Sequence, residues 1–544
     1  MKKITFLLVM AVLAIGVNAQ ISRYVKVTAT GTGDGTSWEN AAGNDSIQSI
    51  INKVAADANQ GTVYFAAGTY LIPAQIQLKN NVHLMGGYAA DGTGVRDLLK
   101  NETILDGQFN KRIMYTGDQS PAVAFDKVTK VDGFILQRGS SSYGSAVAMS
   151  VGTVLENCII RNNNGSSYGA AVFVKRHNTL ASPTAGWNFG GALINCVIVN
   201  NTSSGYAAGV FVNQDTHFSI MNSVIANNKS TDATNGTGGL YWGSNVRYSR
   251  VANTIFSGNT APNATRNNIV FQNTTEVQLA IYNNYFSDES FVDADITSAN
   301  GNKNATDIAS PGFAGATGFA GHDAAKAAEI AAADWRLTAS SGLIGMGSTL
   351  SGRADIPYPY VSPRFGGASR AFTTLTTDVM GSNRVINTTL EMGAYEFNPV
   401  VVTTASADAA KGTVSAGTTV SKGSPVTVTA TPLSGFVFKA WNNGSADVST
   451  DAVYTFTPMQ DVTLTAGFDA DLGTGTASVV SELYRREGNV LYFHAGVGAV
   501  VLDMAGRKVA ESLTGEGIRL MQSGAYVLRI VSEKGIVTTK VVAY

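Results

Sequence analysis

The sequence carries little charge and almost no excess of either sign. Charged residues make up 14% of the 544 residues, and 38 Lys and Arg are balanced by 39 Asp and Glu, which gives a formal net charge of -1. This balance disfavours nucleic acids and anionic membranes as partners, because no global field would attract them. The low charge, the 58 glycines and the scarcity of candidate helices favour an all-β fold.

Long apolar runs are also missing, except at the N-terminus. Lys2 and Lys3 precede the run Ile4–Val17, and Val17-Asn18-Ala19 forms a small-residue cleavage site before Gln20. This order is typical of a secretory signal peptide, here residues 1–19. The run is shorter than the ~20 residues that a spanning helix needs. The sequence therefore predicts an exported chain with no transmembrane segment after cleavage.

The middle of the chain repeats one short pattern. It occurs as LENCIIRNN (155–163), LINCVIVNN (193–201), IMNSVIANN (220–228) and VANTIFSGN (251–259). A second pattern precedes each copy, as SYGSAVAM (142–149), SYGAAVFV (167–174), GYAAGVFV (205–212) and GGLYW (238–242). Short apolar strands that repeat every ~20–50 residues between Gly, Asn and Ser predict a solenoid, whose rungs bury a core by stacking.

One asparagine recurs at the same place in each rung. Because Asn tolerates the left-handed conformation that bends a strand sharply, we expect this column to form the turns and a hydrogen-bonded ladder between rungs. The column consists of Asn157, Asn195, Asn222, Asn253 and Asn283.

The residues after each ladder asparagine predict which side chains fill the core. Alternation places Cys158 and Ile160 inside, with Ile159 and Arg161 outside. Cys196 occupies the column of Cys158 in the next rung. An exported protein can form disulfides, but parallel Cβ vectors would orient the two sulfurs poorly. We interpret both cysteines as small buried thiols and keep a disulfide as the alternative.

The N-terminal part of the chain resembles a known family. The segments YVKVTATGTGDGTSWENAAG (24–43), IQSIINKVAADANQGTVYFAAGTYLI (47–72) and NNVHLMGGYAADGTGVRDLLKNETILDG (80–107) resemble the opening of right-handed parallel β-helix surface proteins of Bacteroidetes-type bacteria. Residues 387–397, NTTLEMGAYEF, resemble the motif that ends such domains. The resemblance implies a pectate-lyase-like β-helix over residues 20–398. Independently, Ser46–Ala58 has the apolar spacing of a helix capped by Ser46, which would close the stack.

Two further resemblances predict small β domains after the β-helix. Residues 400–469, with Trp441 as the core anchor, resemble an internalin-type B-repeat, a module that usually serves as a stalk or spacer. Residues 479–544 resemble the C-terminal sorting domain of the type IX secretion system, through the turn Asp503–Lys508, the strand start Gly524–Tyr526 and the closing Lys540–Val542. Residues 470–478 are a low-complexity linker. The sorting resemblance implies the secretion machinery as a partner and passage through the outer membrane.

Catalytic signatures are weak in the repeat region. Parallel β-helices carry polysaccharide lyases and glycoside hydrolases, but also adhesins without chemistry. Residues 139–289 contain no paired-aspartate motif and no clear calcium cluster. The run Asp288, Glu289, Asp293 and Asp295 is interpreted as a solvated turn, with Ca²⁺ as the alternative, so no cofactor is predicted.

One polar constellation is nevertheless a catalytic candidate. The rungs align on the strand ends Val174, Val212, Trp242 and Phe271. In this register histidine, arginine and carboxylate side chains would lie on one face, where they could supply a base and a charge neutraliser. The alternative is a polar turn surface. The candidates are His177, Asp215, His217, Arg247 and Glu276.

A column of aromatic residues is the candidate ligand-binding surface. Exposed rings along a flat sheet hold sugar rings by their apolar faces, although a ring stack can also simply stabilise the solenoid. The candidates are Tyr143, Tyr168, Trp187, Tyr206, Tyr241 and Trp242.

These patterns support two functions of different classes. The first is a surface-displayed, non-catalytic adhesin or polysaccharide-binding protein, favoured by the spacer and sorting modules and by the missing catalytic signatures. The alternative is a polysaccharide lyase or glycoside hydrolase that acts on a neutral or acidic glycan. A purely structural role in a surface layer remains a third hypothesis.

Overall fold

A computed structural model gives the fold. It describes residues 20–116, 128–149, 152–169, 171–175, 191–214, 216, 218–244, 249–272, 279–288, 300–348, 377–384, 390–471, 483–494, 497–512, 517–532 and 535–543. The predicted signal peptide and most of the predicted linker lie outside these residues. The described residues form two compact units, which divide at Val400, except that 419–424 belong to the first unit.

The first unit consists almost entirely of short strands. Its helices are α1 (Ile47–Ala56) and α2 (Ala327–Ala332). Its strands are β1 Ile21–Val25, β2 Gly61–Ala66, β3 Gly68–Leu71, β4 Ile76–Gln77, β5 Val82–Tyr88, β6 Thr103–Asp106, β7 Met114–Tyr115, β8 Thr129–Asp132, β9 Ile135–Gln137, β10 Ser140–Tyr143, β11 Val147–Met149, β12 Thr153–Glu156, β13 Ile159–Arg161, β14 Asn164–Tyr168, β15 Val172–Val174, β16 Ala192–Ile194, β17 Val197–Val199, β18 Thr202–Ser203, β19 Val210–Val212, β20 Ser219–Met221, β21 Val224–Ala226, β22 Lys229–Ser230, β23 Leu240–Trp242, β24 Ser249–Ala252, β25 Ile255–Ser257, β26 Ile269–Phe271, β27 Leu279–Tyr282, β28 Tyr285–Phe286, β29 Lys303–Asn304, β30 Phe313–Gly315 and β31 Asp334–Leu337.

The strands stack into parallel sheets, one strand per rung. Sheet A has the order β1-β2-β5-β8-β12-β16-β20-β24-β27, and sheet B the order β3-β6-β9-β13-β17-β21-β25-β28-β29. Sheet C runs β4-β7-β11-β15-β19-β23-β26, and the short sheet D runs β10-β14-β18-β22. Because each strand pairs in parallel with its equivalent one rung away, the predicted all-β parallel β-helix is confirmed.

The inner faces of sheets A, B and C form the core. Leu155, Ile160 and Val172 are completely buried, and so are their equivalents in later rungs. The predicted inward orientation of Cys158 and Ile160 is confirmed, and Ile159 belongs to a separate outer cluster. At the N-terminal end, α1 buries its apolar face against the stack. Ser46 occupies the N-cap position, but its side chain makes no capping hydrogen bond, so the expected cap is absent.

The asparagine column predicted from the sequence forms the turns between sheets A and B. All five residues have φ between 48° and 52°, the left-handed region that bends the chain between the two sheets. Asn195 Nδ2 donates to Asn157 Oδ1 over 3.1 Å, and Asn253 Nδ2 donates to Asn222 Oδ1 over 2.9 Å. The predicted ladder is therefore present in two pairs and interrupted between them, because Asn195 Oδ1 accepts no hydrogen bond and Asn283 Nδ2 donates to the carbonyl of Met346 instead.

A second, interior ladder follows sheet B. Along this ladder each amide donates to the side-chain oxygen of the next asparagine over 2.9–3.0 Å, and all its asparagines are buried. These bonds satisfy amides that would otherwise be costly to bury. The ladder consists of Asn163, Asn201, Asn228, Asn259 and Asn268.

The chain covers the outer face of sheet B with its own C-terminal segment. This cover segment, the described residues among 308–398, packs Trp335, Leu343 and Tyr395 on that apolar face. Turn asparagines at both edges of the sheet hold its backbone, as Asn227 Nδ2 does with the carbonyl of Thr317 over 2.7 Å and Asn253 Nδ2 with that of Ser348 over 2.8 Å. The outer face of sheet B is therefore not open to a ligand where this segment lies.

The cover segment contains a buried ionic cluster. The Arg384 guanidinium lies 3.1 Å from a carboxylate oxygen of Glu396, and Asp378 accepts hydrogen bonds from the backbone amides of Met380, Ser382 and Glu396. Burial raises the pKa of Asp378 to about 6, against the pull of Arg384, and it also raises the pKa of Glu391.

These pKa shifts predict that the folded conformation of the cover segment is more stable in mild acid than at neutral pH. A carboxyl whose pKa is raised by folding binds its proton more strongly in the folded state. Its charged form therefore destabilises the fold fully above about pH 6, and this destabilisation disappears below the unfolded pKa of about 3.9. Amide exchange in residues 390–398, corrected for the intrinsic rate, should therefore be slower at pH 5 than at pH 7.5. The Asp378→Asn variant should show a smaller pH effect, and Asp451→Asn, at an exposed site, should behave as wild type. Equal protection at both pH values would contradict this assignment.

The C-terminal part of the chain forms the two expected small β domains. Its strands are β32 Pro399–Ser406, β33 Gly412–Val414, β34 Thr418–Ser421, β35 Val426–Pro432, β36 Phe436–Asn442, β37 Asp447–Ser449, β38 Val453–Phe456, β39 Val462–Ala470, β40 Tyr484–Glu487, β41 Val490–Phe493, β42 Gly498–Asp503, β43 Lys508–Ser512, β44 Ile518–Arg519, β45 Gly524–Ser532 and β46 Gly535–Ala543. Trp441 is fully buried in the first domain. The second domain has two antiparallel sheets, β40-β41-β44 and β43-β42-β45-β46, which pack around one apolar cluster.

Candidate functional site

The register that defined the polar constellation is present in sheet C. Val174 pairs with Val212, Val212 with Trp242, and Trp242 with Phe271. The catalytic candidates follow these strand ends, but all of them lie outside the described residues, and so does Trp187. Their roles stay predictions: His177, Asp215, His217, Arg247 and Glu276.

The predicted tyrosine column is a continuous ring stack. Tyr143 pairs with Tyr168 in register, and their ring centroids are 5.3 Å apart with planes 14° from parallel. Tyr168 and Tyr206 are 4.9 Å apart and 7° from parallel. A Tyr-Gly step aligns the first two rings, because the left-handed glycine after Tyr143 and Tyr168 turns the chain into sheet C at the same point of both rungs. Tyr206 keeps the same column although Ala207 follows it.

A second row of rings runs beside the first on the outer face of sheet C. Phe173, Phe211 and Tyr241 stack at centroid distances of 5.5 and 5.0 Å. The edges of this row meet the tyrosine stack, as Tyr168 and Phe211 do at 5.1 Å and 74°. Sequence reasoning missed Phe173 and Phe211, although the large apolar residue between two valines in VFV marks an outward position on a strand whose other side chains point inward. We call the two rows together the aromatic strip.

Only the tyrosine row of the strip reaches solvent, because Phe173, Phe211 and Tyr241 behind it are 4–5% exposed. Because neighbouring rings in each row face one another, their faces are mostly covered. Tyr143 is the exception, since it lies in the first strand of sheet D and is 43% exposed. Among the described residues, no hydrogen bond is made by the hydroxyls of Tyr143, Tyr168 or Tyr206. The strip can therefore offer a row of phenolic hydroxyls and one free ring face, which are groups suited to sugar hydroxyls and to the apolar face of a sugar ring.

Two arginines flank the strip. The Arg112 guanidinium lies 5.8 Å from the ring centroid of Tyr115 and donates to the backbone carbonyl of Tyr143 over 2.8 Å. At the other end, the Arg266 guanidinium lies 5.9 Å from the ring centroid of Tyr241 and donates to the carbonyls of Asn235 and Gly236. Both positive charges are thus held in place beside aromatic rings.

Trp242 does not belong to this surface. It is adjacent to Tyr241 on β23, so its side chain points to the opposite side of sheet C, where it is completely buried in the core. The interpretation of Trp242 as a ligand-binding residue was wrong for this reason. Tyr241 keeps its place in the strip, although only 4% of it is exposed.

Burial of the Trp242 indole predicts an asymmetric response to substitution. Its Nε1 group is buried without a hydrogen-bond partner. Trp242→Phe removes this unpaired donor together with some packing, so the free energy of unfolding should change by no more than about 1 kcal/mol. Trp242→Ala should lower it by roughly 3–5 kcal/mol, because it leaves a cavity. Denaturant unfolding followed by circular dichroism measures both. Equal losses for the two variants would contradict the core assignment.

The remaining candidate functional residues, the two cysteines and the acidic run from Asp288, have structural roles where the structure describes them. Cys158 and Cys196 are free, fully buried thiols, and burial raises the pKa of Cys196 to about 12 and that of Cys158 in the same direction, so neither is a ready nucleophile. Asp288 Oδ1 accepts a hydrogen bond from Asn268 Nδ2 over 2.8 Å and so terminates the interior ladder. Glu289, Asp293 and Asp295 lie outside the described residues. In the part of the chain that the structure describes, no group of three or more His, Cys, Asp or Glu side chains is arranged to hold a metal ion.

Comparison with known proteins agrees with this architecture. Residues 24–238 match the family described as "Rhamnogalacturonase A/epimerase, pectate lyase-like", and residues 402–472 match the "Divergent InlB B-repeat domain". No curated protein and no solved structure matches the chain. The chain therefore contains a pectate-lyase-like β-helix domain followed by a divergent InlB B-repeat domain.

Proposed function

We propose that this protein is a surface-displayed polysaccharide-binding protein or adhesin, whose β-helix holds a glycan along the aromatic strip without cleaving it. The observation that carries the proposal is the strip itself. Its tyrosine row lies partly exposed along the outside of the solenoid, over the buried row of Phe173, Phe211 and Tyr241. The three phenolic hydroxyls of that row have no partner among the described residues. A face built this way suits a long, hydroxyl-rich ligand that runs parallel to the solenoid axis.

The modules around the β-helix support display outside the cell. The N-terminal residues have the order of a secretory signal peptide, and the B-repeat domain resembles modules that serve as stalks. The last domain resembles a type IX sorting domain, which implies export across the outer membrane, with the secretion machinery as a partner. Among the described residues no helix is long and apolar enough to cross a membrane.

The alternative function is a polysaccharide lyase or hydrolase. The match to a family described by rhamnogalacturonase and epimerase activities favours it. In that case the catalytic residues would be the polar candidates that follow the strand ends of sheet C, namely His177, Asp215, His217, Arg247 and Glu276. Activity that persists in a His217→Ala, Arg247→Ala double variant would remove this assignment.

One experiment separates the two functions. The purified full chain is incubated with polygalacturonate, rhamnogalacturonan, arabinoxylan and galactomannan, and each mixture is assayed for retention of protein on the polysaccharide and, by mass spectrometry, for released oligosaccharides. We expect retention without products. Unsaturated products would establish a lyase and saturated products a hydrolase, and either would overturn the non-catalytic proposal.

A further inference from the structure

A second group of partly exposed aromatic residues lies on a different sheet from the strip, on the outer face of sheet A. Tyr24 and Tyr64 are paired on neighbouring strands, with ring centroids 5.5 Å apart. Tyr88, at the end of β5, meets Tyr64 edge-on at 5.2 Å. Trp38, from the loop after β1, closes the group by contacting Tyr24 at 4.9 Å and Tyr88 at 5.7 Å. Each ring of this aromatic quartet thus contacts two others.

An ionic network continues from the quartet across the next two rungs. The Arg96 guanidinium lies 6.0 Å from the ring centroid of Tyr88 and 2.6 Å from a carboxylate oxygen of Asp132. Lys130 Nζ lies 3.6 Å from Asp132 and 2.5 Å from Glu156. Asp132 and Glu156 occupy the same outward column on adjacent strands. Two cations are therefore paired with two carboxylates, and the network has no net charge.

The residue types in the column of Asp132 and Glu156, on the outer face of sheet A, change along the sheet together with their exposure to solvent. In the first rungs it carries the partly exposed Tyr24, Tyr64, Met85 and Glu156, with the buried Asp132 between the last two. Farther along sheet A, Ile194 and Met221 follow in register and are only 4% exposed. The part of the column beyond Glu156 is thus aliphatic, whereas the part before it carries rings, ion-paired groups and one methionine. Packing alone would not require that difference, but a polar, ring-shaped ligand would.

We propose that the aromatic quartet and the ionic network together form a second saccharide-binding surface, for uncharged sugars. Tilted, partly exposed rings take the apolar face of a pyranose, and the paired charges beside them exchange hydrogen bonds with its hydroxyls. Because the network is electrically neutral, it gives no advantage to an acidic sugar. The inference rests on the proposed function only in that the chain binds polysaccharides.

Affinity electrophoresis of the full chain tests this surface with soluble probes. The neutral probes are arabinoxylan, galactomannan and dextran, and polygalacturonate is the acidic reference. We expect wild type to bind at least one neutral probe, and Trp38→Ala to weaken that binding by about tenfold. Glu156→Gln, which keeps the side-chain shape, should weaken it in the same direction and provides the readout if Trp38→Ala impairs folding.

A variant of the strip separates this proposal from the first. Tyr143, Tyr168 and Tyr206 changed together to Phe should leave binding at the second surface intact. Neutral-probe binding that survives both Trp38→Ala and Glu156→Gln but is lost in the strip variant would overturn the second surface while supporting the strip. Failure of wild type to bind any neutral probe would also overturn it.

Discussion

Changing Tyr143, Tyr168 and Tyr206 together to Phe should weaken polysaccharide binding by about a hundredfold. Each substitution removes one hydroxyl that would bond a sugar, worth about 1 kcal/mol net, and the three losses add to roughly two factors of ten. The ring stack itself, with centroid distances of 4.9 and 5.3 Å, remains. The stability of the solenoid should therefore stay within about 0.5 kcal/mol of wild type.

This variant separates a binding role from a purely structural one. Isothermal titration with the polysaccharide that wild type binds best measures the affinity, and thermal unfolding measures stability. Tyr454→Phe is the matched control, because Tyr454 is also half-exposed and stacks on a neighbouring ring, Phe456, at 5.1 Å. Unchanged affinity in the triple variant would mean that the stack only stabilises the fold.

Asn228→Ala should lower the free energy of unfolding by roughly 3–5 kcal/mol. The Asn228 side chain donates to the carbonyl of Ile198 and to Asn259, and it accepts from the backbone and the side chain of Asn201. Its removal leaves several buried polar groups without partners, each at a cost of about 1–3 kcal/mol. The interior ladder then breaks in the middle of the solenoid.

A half-buried asparagine outside the ladder, next to Asn163, is the natural control. Asn164 lies on the exposed sheet D, and its side chain makes no hydrogen bond among the described residues, so Asn164→Ala should cost no more than about 0.5 kcal/mol. Denaturant midpoints of both variants, measured under one condition, give the comparison. A loss of less than about 1 kcal/mol for Asn228→Ala would show that the ladder contributes little to stability.

Much of the solenoid could be predicted from the sequence, because each rung repeats the same pattern of strand and turn residues. The spacing of Asn157 and its equivalents located the turns, since few residues other than Asn and Gly adopt the left-handed conformation. The same repetition placed Tyr143, Tyr168 and Tyr206 in one column. In parallel stacks, equivalent positions of successive repeats are neighbours in space, so residues that align between repeats can be predicted to contact one another.

The remainder depends on information that repeats do not carry. The interior ladder was missed because its asparagines, most of them the second residue of an Asn-Asn pair, are typical turn residues by sequence and are recognised as ladder residues only once their burial is known. The cover segment lies 63–182 residues from the asparagines that hold it, and no periodic pattern links the two. Trp242 was assigned to the surface because two adjacent aromatics were treated as one feature, whereas neighbouring strand residues point to opposite faces.

The central claim is that a glycan lies along the aromatic strip. Hydroxyl-radical footprinting of the full chain tests it most directly, with and without a saturating amount of the polysaccharide that wild type binds best, and with oxidation of each tyrosine read by mass spectrometry. The account predicts protection of Tyr143, Tyr168 and Tyr206, with no change at Tyr454. Protection confined to other parts of the chain, with these three tyrosines oxidised as in the free protein, would contradict it.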